Sequence, residues 1–174
     1  MTVWVNNDGL EVRFGSSKAD LRLGGRLSTF GAMQELRVKI LGTSVPAQGT
    51  VIANVLDKKV TFPSNSYLDA VTTQLYVDTA FTSGGSATLD IGTMGDDGDG
   101  TYTVIDDDGI DAAIAVATLA LDFDVVPNGA QMGTSPVNGV SAAQPIAIAY
   151  GFNAAAFTAG AATLILKYRP PVTS

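Results

Sequence analysis

Leu36-Arg37-Val38-Lys39-Ile40 alternates apolar and cationic side chains without a break, and this stretch decides how the rest of the chain is read. A repeat of two belongs to a β-strand with one face in a core and the other in water, whereas a helix returns like residues every three or four positions. Pro46-Ala47-Gln48-Gly49 ends this strand. Residues 50–62 form a second region with Ile52, Leu56, Val60 and Phe62 on one face, and Pro63-Ser64-Asn65-Ser66 makes the next turn. Tyr67, Val71, Leu75 and Val77 share a face in a third strand, and Leu89 with Ile91 marks a short fourth. Further on, Leu121, Phe123 and Val125 alternate with Asp122 and Asp124, residues 127–145 read as a loop rich in Gly, Pro, Asn and Ser, and Ile146, Ile148, Tyr150 and Phe152 form a one-faced strand. Leu164, Leu166 and Tyr168 close the pattern before Pro170-Pro171.

One segment departs from period two. Ile110, Ala113, Ile114, Ala117 and Leu121 recur at helical spacing, with Asp108 placed to cap the first amides and Asp111 near the positive end of a helix dipole. The sequence therefore predicts one short helix near 108–120. With seven or eight short strands around it, the expected fold is all-β, a β-sandwich or jelly roll over residues 34–174.

Residues 1–33 are expected to be an extended N-terminal arm. Trp4 is an isolated apolar anchor, and Lys18, Leu21, Arg22, Leu23, Arg26, Leu27 and Phe30 mix cations with apolar residues in a Gly/Ser-rich stretch. Leucines and a phenylalanine on such a segment point to burial against a neighbouring subunit. The apolar residues of 127–157 carry the same expectation.

Composition narrows the chemistry. In 174 residues, 46% are hydrophobic and 16% charged, which argues for a packed core and against disorder. Nineteen glycines favour turns and strands. The chain has no cysteine and no histidine, which removes disulfides, thiolate nucleophiles, the usual zinc ligands and imidazole catalysis. Residues 1–60 hold eight Lys/Arg and five Asp/Glu, while residues 61–174 hold two Lys/Arg and twelve Asp. That acidic bulk repels phosphate, so nucleic acid is not an expected partner. No apolar run approaches the roughly 20 residues of a bilayer crossing, and Met1-Thr2-Val3-Trp4-Val5-Asn6-Asn7-Asp8 lacks the regions of a secretory signal. Synthesis in the cytoplasm without a signal peptide, and no membrane partner, are the expectations.

One acidic cluster can bear chemistry. Asp96, Asp97 and Asp99 lie in Gly95-Asp96-Asp97-Gly98-Asp99-Gly100, with Asp106, Asp107, Asp108 and Asp111 close behind. Oxygen-rich loops suit calcium. The helix-loop-helix calcium pattern fails, since a loop begun at Asp97 has Thr101 at its fifth position and Tyr102 where glycine is required. A solvated acidic loop held by Asx turns is the competing reading. Glutamate is limited to Glu11 and Glu35, so paired-carboxylate glycoside hydrolysis has no support, and the expectation is no catalytic site and no cofactor beyond a structural calcium.

Two segments echo each other: Phe81-Thr82-Ser83-Gly84-Gly85-Ser86-Ala87-Thr88-Leu89 and Phe157-Thr158-Ala159-Gly160-Ala161-Ala162-Thr163-Leu164. Each follows an aromatic-bearing strand, so two hairpins or arches of like shape are expected. No Lys follows the glycines, which counts against a phosphate cradle. The stretch from Ala80 to Gly92, the acidic turn Asp106-Asp107-Asp108-Gly109-Ile110 and the ending 157–164 with Tyr168 resemble small β-rich virion proteins of tailed bacteriophages, over about residues 50–169. The resemblance implies a non-enzymatic capsid decoration or cement protein on the capsid surface of a virion, bound to the major capsid protein and to itself as a homotrimer. A carbohydrate- or receptor-binding module on a phage tail or fibre is the alternative. An exposed aromatic platform favours the module, and a broad apolar base favours cement.

Overall fold

The computed structural model describes residues 2–5, 11–14, 33–48, 61–96, 101–122, 124–133, 135–141 and 143–171, with the backbone alone for 2–5, 11–14 and 96. Within the segment expected to be an arm, β1 (Thr2–Val5) and β2 (Glu11–Phe14) pair antiparallel, with Trp4 opposite Val12.

The remaining strands are β3 (Gln34–Leu41), β4 (Thr61–Phe62), β5 (Tyr67–Leu68), β6 (Gln74–Ser83), β7 (Thr88–Asp96), β8 (Tyr102–Ala115), β9 (Asp124–Val125), β10 (Ile146–Asn153) and β11 (Phe157–Arg169). They form two antiparallel sheets, β4-β10-β7-β8 and β3-β11-β6-β9, with β5 added to β11. Leaving out β1, β2 and the short β5, the eight principal strands in chain order run 1-8-3-6 in one sheet and 2-7-4-5 in the other. Apart from the β7–β8 neighbour pair, every step along the chain between these strands crosses from sheet to sheet. The result is a β-sandwich, as the period-two pattern required.

The alternation that opens the chain's reading holds in detail: Val38 and Ile40 are buried, Leu36 is half-buried, and Arg37 and Lys39 face outward. Leu75, Val77, Leu164, Leu166 and Tyr168 supply the same sheet's inner face, and Leu89, Ile91, Ile146 and Ile148 the opposing one. Phe62 of β4 and Tyr168 of β11 join the two sheets, their ring centroids 5.5 Å apart.

Several expectations shift. Tyr67 and Val71 do not share a face with Leu75 and Val77, because a turn at 70–72 separates β5 from β6 and leaves Val71 82% exposed. The strand of Leu89 and Ile91 is nine residues long, not short. In β10, Ala147 and Ala149 are buried along with Ile146 and Ile148, as suits a central strand covered on both faces. Of the region 50–62, Thr61 and Phe62 form β4, while Ile52, Leu56 and Val60 lie outside the described residues. The described residues of 127–145 are a loop, but Met132 and Val137 serve this chain's own core. The loop is stitched to residues 65–68 by Asn65 N–H to Val137 O (2.7 Å), Val137 N–H to Ser66 O (2.8 Å) and Gly133 N–H to Leu68 O (3.0 Å).

Residues 108–120 are not a helix. Tyr102–Ala115 is one strand, and a turn follows at 116–118. Of the residues at helical spacing, Ala113, Ala117 and Leu121 are exposed, and Ile110 and Ile114, four apart, share a face of a strand as readily as of a helix. Bulges hide the strand's own alternation. Two steps along β7 from Ile91 to Thr93 face five along β8 from Asp111 to Asp106, and two from Leu89 to Ile91 face three from Ile114 to Asp111. Each surplus shifts the side-chain phase, so Asp111 and Ile114 are both buried although three residues apart. Ala113, at φ +53°, sits in the second bulge.

The echo is real but not a pair of equivalent arches. In the first segment Phe81, Thr82 and Ser83 end β6, and Gly84–Ala87 crosses to β7; in the second, the crossing at 154–156 comes before Phe157. The two crossings lie side by side: Ser83 Oγ donates to Ala156 O at 2.9 Å, and the Thr82 and Thr158 hydroxyls are 2.8 Å apart.

Candidate functional site

A polar cluster is built into the β7–β8 junction, in a sheet whose buried side chains are otherwise largely apolar. The large bulge brings β8 so close to β7 that a Cβ on Gly92 would overlap the carbonyl of Asp106, so only glycine fits there. On its other side the bulge is held by the 127–145 loop, through Gly129 N–H to Ile110 O and Gln131 N–H to Gly109 O, both 2.8 Å. Thr93, fully buried, donates its hydroxyl to Gln131 Oε1 at 3.0 Å.

Two carboxylates lie beneath this surface. Asp90 is 3% exposed; one oxygen accepts Ala113 N–H at 2.6 Å and the other accepts Asn153 Nδ2 at 2.8 Å. Asn153 also donates to Gln48 Oε1, and Gln48 Nε2 donates to Asp107 Oδ2 at 2.9 Å. This amide relay ties the end of the 45–48 segment, the end of β10, the buried floor and the bulge together. Asp111 is 4% exposed and accepts the backbone N–H groups of Ala112 and Asn128. Burial pushes its pKa up to about 6, outweighing those two bonds, and the charge of Asp90 adds to the rise. Burial also raises Asp90, ahead of the charges of Asp108 and Asp107. Asp106 is raised by burial first and then by its neighbour Asp108.

The carboxylates of Asp106, Asp107 and Asp108 bring oxygens within 4.8 Å of one another. Such a donor set suits a hard, oxygen-preferring cation such as calcium. Among the described residues no buried side-chain polar atom is left without a hydrogen-bond partner.

Of the calcium candidates Asp96, Asp97 and Asp99, the structure describes only the first. Asp96 ends β7, and Asp97 and Asp99 lie outside the described residues. Of the expected contact residues, Trp4 is on β1, and Lys18, Leu21, Arg22, Leu23, Arg26, Leu27 and Phe30 lie outside the described residues. Asp90, Gln48 and Asn153 escaped the sequence reading, because each is a lone polar residue whose partners are distant in the chain. Asp111 was read as a helix-dipole residue and is instead a buried acceptor.

Among the described residues no helix is long and apolar enough to cross a membrane. No protein-family model matches the chain, and no curated protein matches it. Among solved structures, a chain from the capsid of Ralstonia phage GP4 shares 20% identity at a TM-score of 0.50, covering 88% of this chain and 94% of that one. A chain from the capsid asymmetric unit of cyanophage Pam1 is 16% identical at a TM-score of 0.48, covering 90% of this chain and 98% of that one.

Proposed function

We propose that the chain is a non-enzymatic structural protein of a tailed-phage particle, a decoration or cement protein that binds the major capsid protein and its own copies as a trimer on the shell surface. The observation that carries this reading is the architecture. The order 1-8-3-6 and 2-7-4-5 is that of a two-sheet jelly roll, a form used by viral shell proteins and by lectins, and its likeness to a phage capsid chain extends over 88% of this chain. The phage-like segments 80–92 and 157–164 supply the β6–β7 crossing and the start of β11, which touch where the chain passes between the sheets. The lack of histidine and cysteine fits a role made of contacts rather than chemistry. Repeated modest contacts, tied together in copies, give a cement its strength.

Antibodies to the chain are expected to label the outer shell of virions of the phage that encodes it, and the purified chain to co-sediment with particles lacking it. Label confined to the tail would move the protein to the receptor-binding module. Virions without label would overturn the reading. Deleting residues 1–33 is expected to weaken particle binding, and unchanged binding would remove the arm from the contact.

A further inference from the structure

The outward face of the β3-β11-β6-β9 sheet is polarised from edge to edge. Register sets Lys39, Thr163, Tyr76 and Asp124 in one row across the four strands, a span of roughly 14 Å at ordinary strand spacing. On the β3–β11 side the face carries Arg37, Lys39 and Lys167 against one carboxylate, Glu35, which pairs with both Arg37 and Lys167. On the β6–β9 side it carries Asp78, Asp122 and Asp124, all exposed. Asp78 accepts the Thr163 hydroxyl and Asp122 the Tyr76 hydroxyl, each at 2.8 Å. Exposed apolar groups accompany the charges: Leu41 ends β3, while Tyr76, Leu121 and Val126 lie on or beside β6 and β9. Among the described residues β3 pairs only with β11, so its eight-residue outer edge is the kind that proteins cover or defend with charge.

We propose that this face is the contact surface between copies of the chain, the cationic β3 side of one meeting the carboxylate β6–β9 side of the next. A second copy is the fitting occupant because the two halves of the face complement each other. Any orientation that sets like edges together opposes carboxylates to carboxylates; crossing the edges sets cation against carboxylate. Engaging one half of each face makes the contact head-to-tail, and such a contact can close into a ring. The inference rests on the reading of the chain as a self-associating shell component, and names the surface that does it.

The test uses the full chain, with mass measured by light scattering through a salt series and folding checked by thermal unfolding. Four proteins are compared: wild type, Arg37→Glu/Lys39→Glu, Asp78→Lys/Asp124→Lys, and the chain with all four changes. Wild type is expected to assemble and to loosen as salt rises. Each one-sided reversal is expected to raise the dissociation constant by at least about tenfold. The four-fold variant is expected to recover the wild-type mass, which damage to the fold could not produce. A wild type that stays monomeric in low salt, a one-sided variant with unchanged mass, or a four-fold variant no better than the one-sided ones would each overturn the proposal. Virion labelling separates this from the shell reading. Labelled shells with a charge-insensitive assembly would sink the contact surface alone, and charge-sensitive assembly without label would sink the shell role alone.

Discussion

The rings of Phe81 and Phe157 meet edge to face, their centroids 5.1 Å apart and their planes at 78°. These are the first residues of the two echoing segments, so the repeat in the sequence is a contact in space: β6 and β11 run antiparallel and bring their Phe-Thr pairs together where the chain crosses between sheets. Gly160, at φ +126°, leaves the room for one of them, since a Cβ there would overlap the Phe81 ring.

Phe157→Ala is therefore expected to cost about 3–5 kcal/mol in a urea unfolding curve. Gly160→Ala is expected to be destabilising too, through both its backbone and the ring. Because the Phe81 ring is the obstacle, Phe81→Ala combined with Gly160→Ala should cost at least about 1 kcal/mol less than the two single changes added. Additive costs would show that the ring does not meet the glycine.

Asp111 makes stability depend on pH. Its folded pKa of about 6 lies above the ordinary value, so between roughly pH 4 and 6 the native state holds a proton that the unfolded state has released. Stability from this group is fully present at acid pH and is lost as pH rises through 6. Asp111→Asn keeps an acceptor for the Ala112 and Asn128 amides and removes the charge. It is expected to raise stability at pH 7 by on the order of 2 kcal/mol and to flatten the slope between pH 4 and 6. A variant that is less stable at pH 7 than wild type would refute the assignment.

How far the fold could be read from the sequence is clearest at β3 and β8. Val38 and Ile40 alternate with Arg37 and Lys39 on a regular edge strand, and the pattern alone placed all four correctly. In β8 the same physics gave the wrong element, because Ile110 and Ile114, four apart, share a face in a strand as in a helix. Two bulges break the alternation that would have told the two apart, leaving Asp111 and Ile114, three apart, both buried. A bulge depends on what the partner strand does, here on Gly92 admitting the Asp106 carbonyl, and nothing local in 106–114 reports it. The candidate site was half legible for the same reason. The run Asp106-Asp107-Asp108 is visible as composition, whereas Asp90 acquires its role from Asn153 and Gln48, 63 residues ahead of it and 42 behind.

Removing the middle of that relay should expose its cost. In Asn153→Ala, buried Asp90 loses the bond to its second oxygen, and Gln48 loses one of its two side-chain partners. A buried polar group left unpaired costs about 1–3 kcal/mol, and the Asp90 pKa should rise further. Chemical denaturation measures the first and carboxyl NMR titration the second. Gln48→Ala, which leaves Asp90 its bond to Asn153, should cost less. Equal effects from both would mean that Asp90 does not depend on Asn153.

Three tyrosines titrate above the ordinary range for two different reasons, and salt separates them. Tyr76 is raised by its hydrogen bond to Asp122 and then by the charge of Asp122, with burial, Asp78 and Asp124 behind, on an exposed face. Tyr150 and Tyr168 are raised by burial. Charges in water are screened within about 10 Å at 0.1 M salt, whereas burial is not. Adding salt should therefore lower the Tyr76 pKa and leave Tyr150 and Tyr168 in place. Asp122→Asn should lower Tyr76 even without salt, since the amide accepts the same hydroxyl but carries no charge. The phenolate absorbance of wild type minus that of Tyr76→Phe isolates the one group. If Tyr76 ignores both salt and Asp122→Asn, the carboxylates do not create a negative field on this side of the sheet, and the polarity of the face would have to be redrawn.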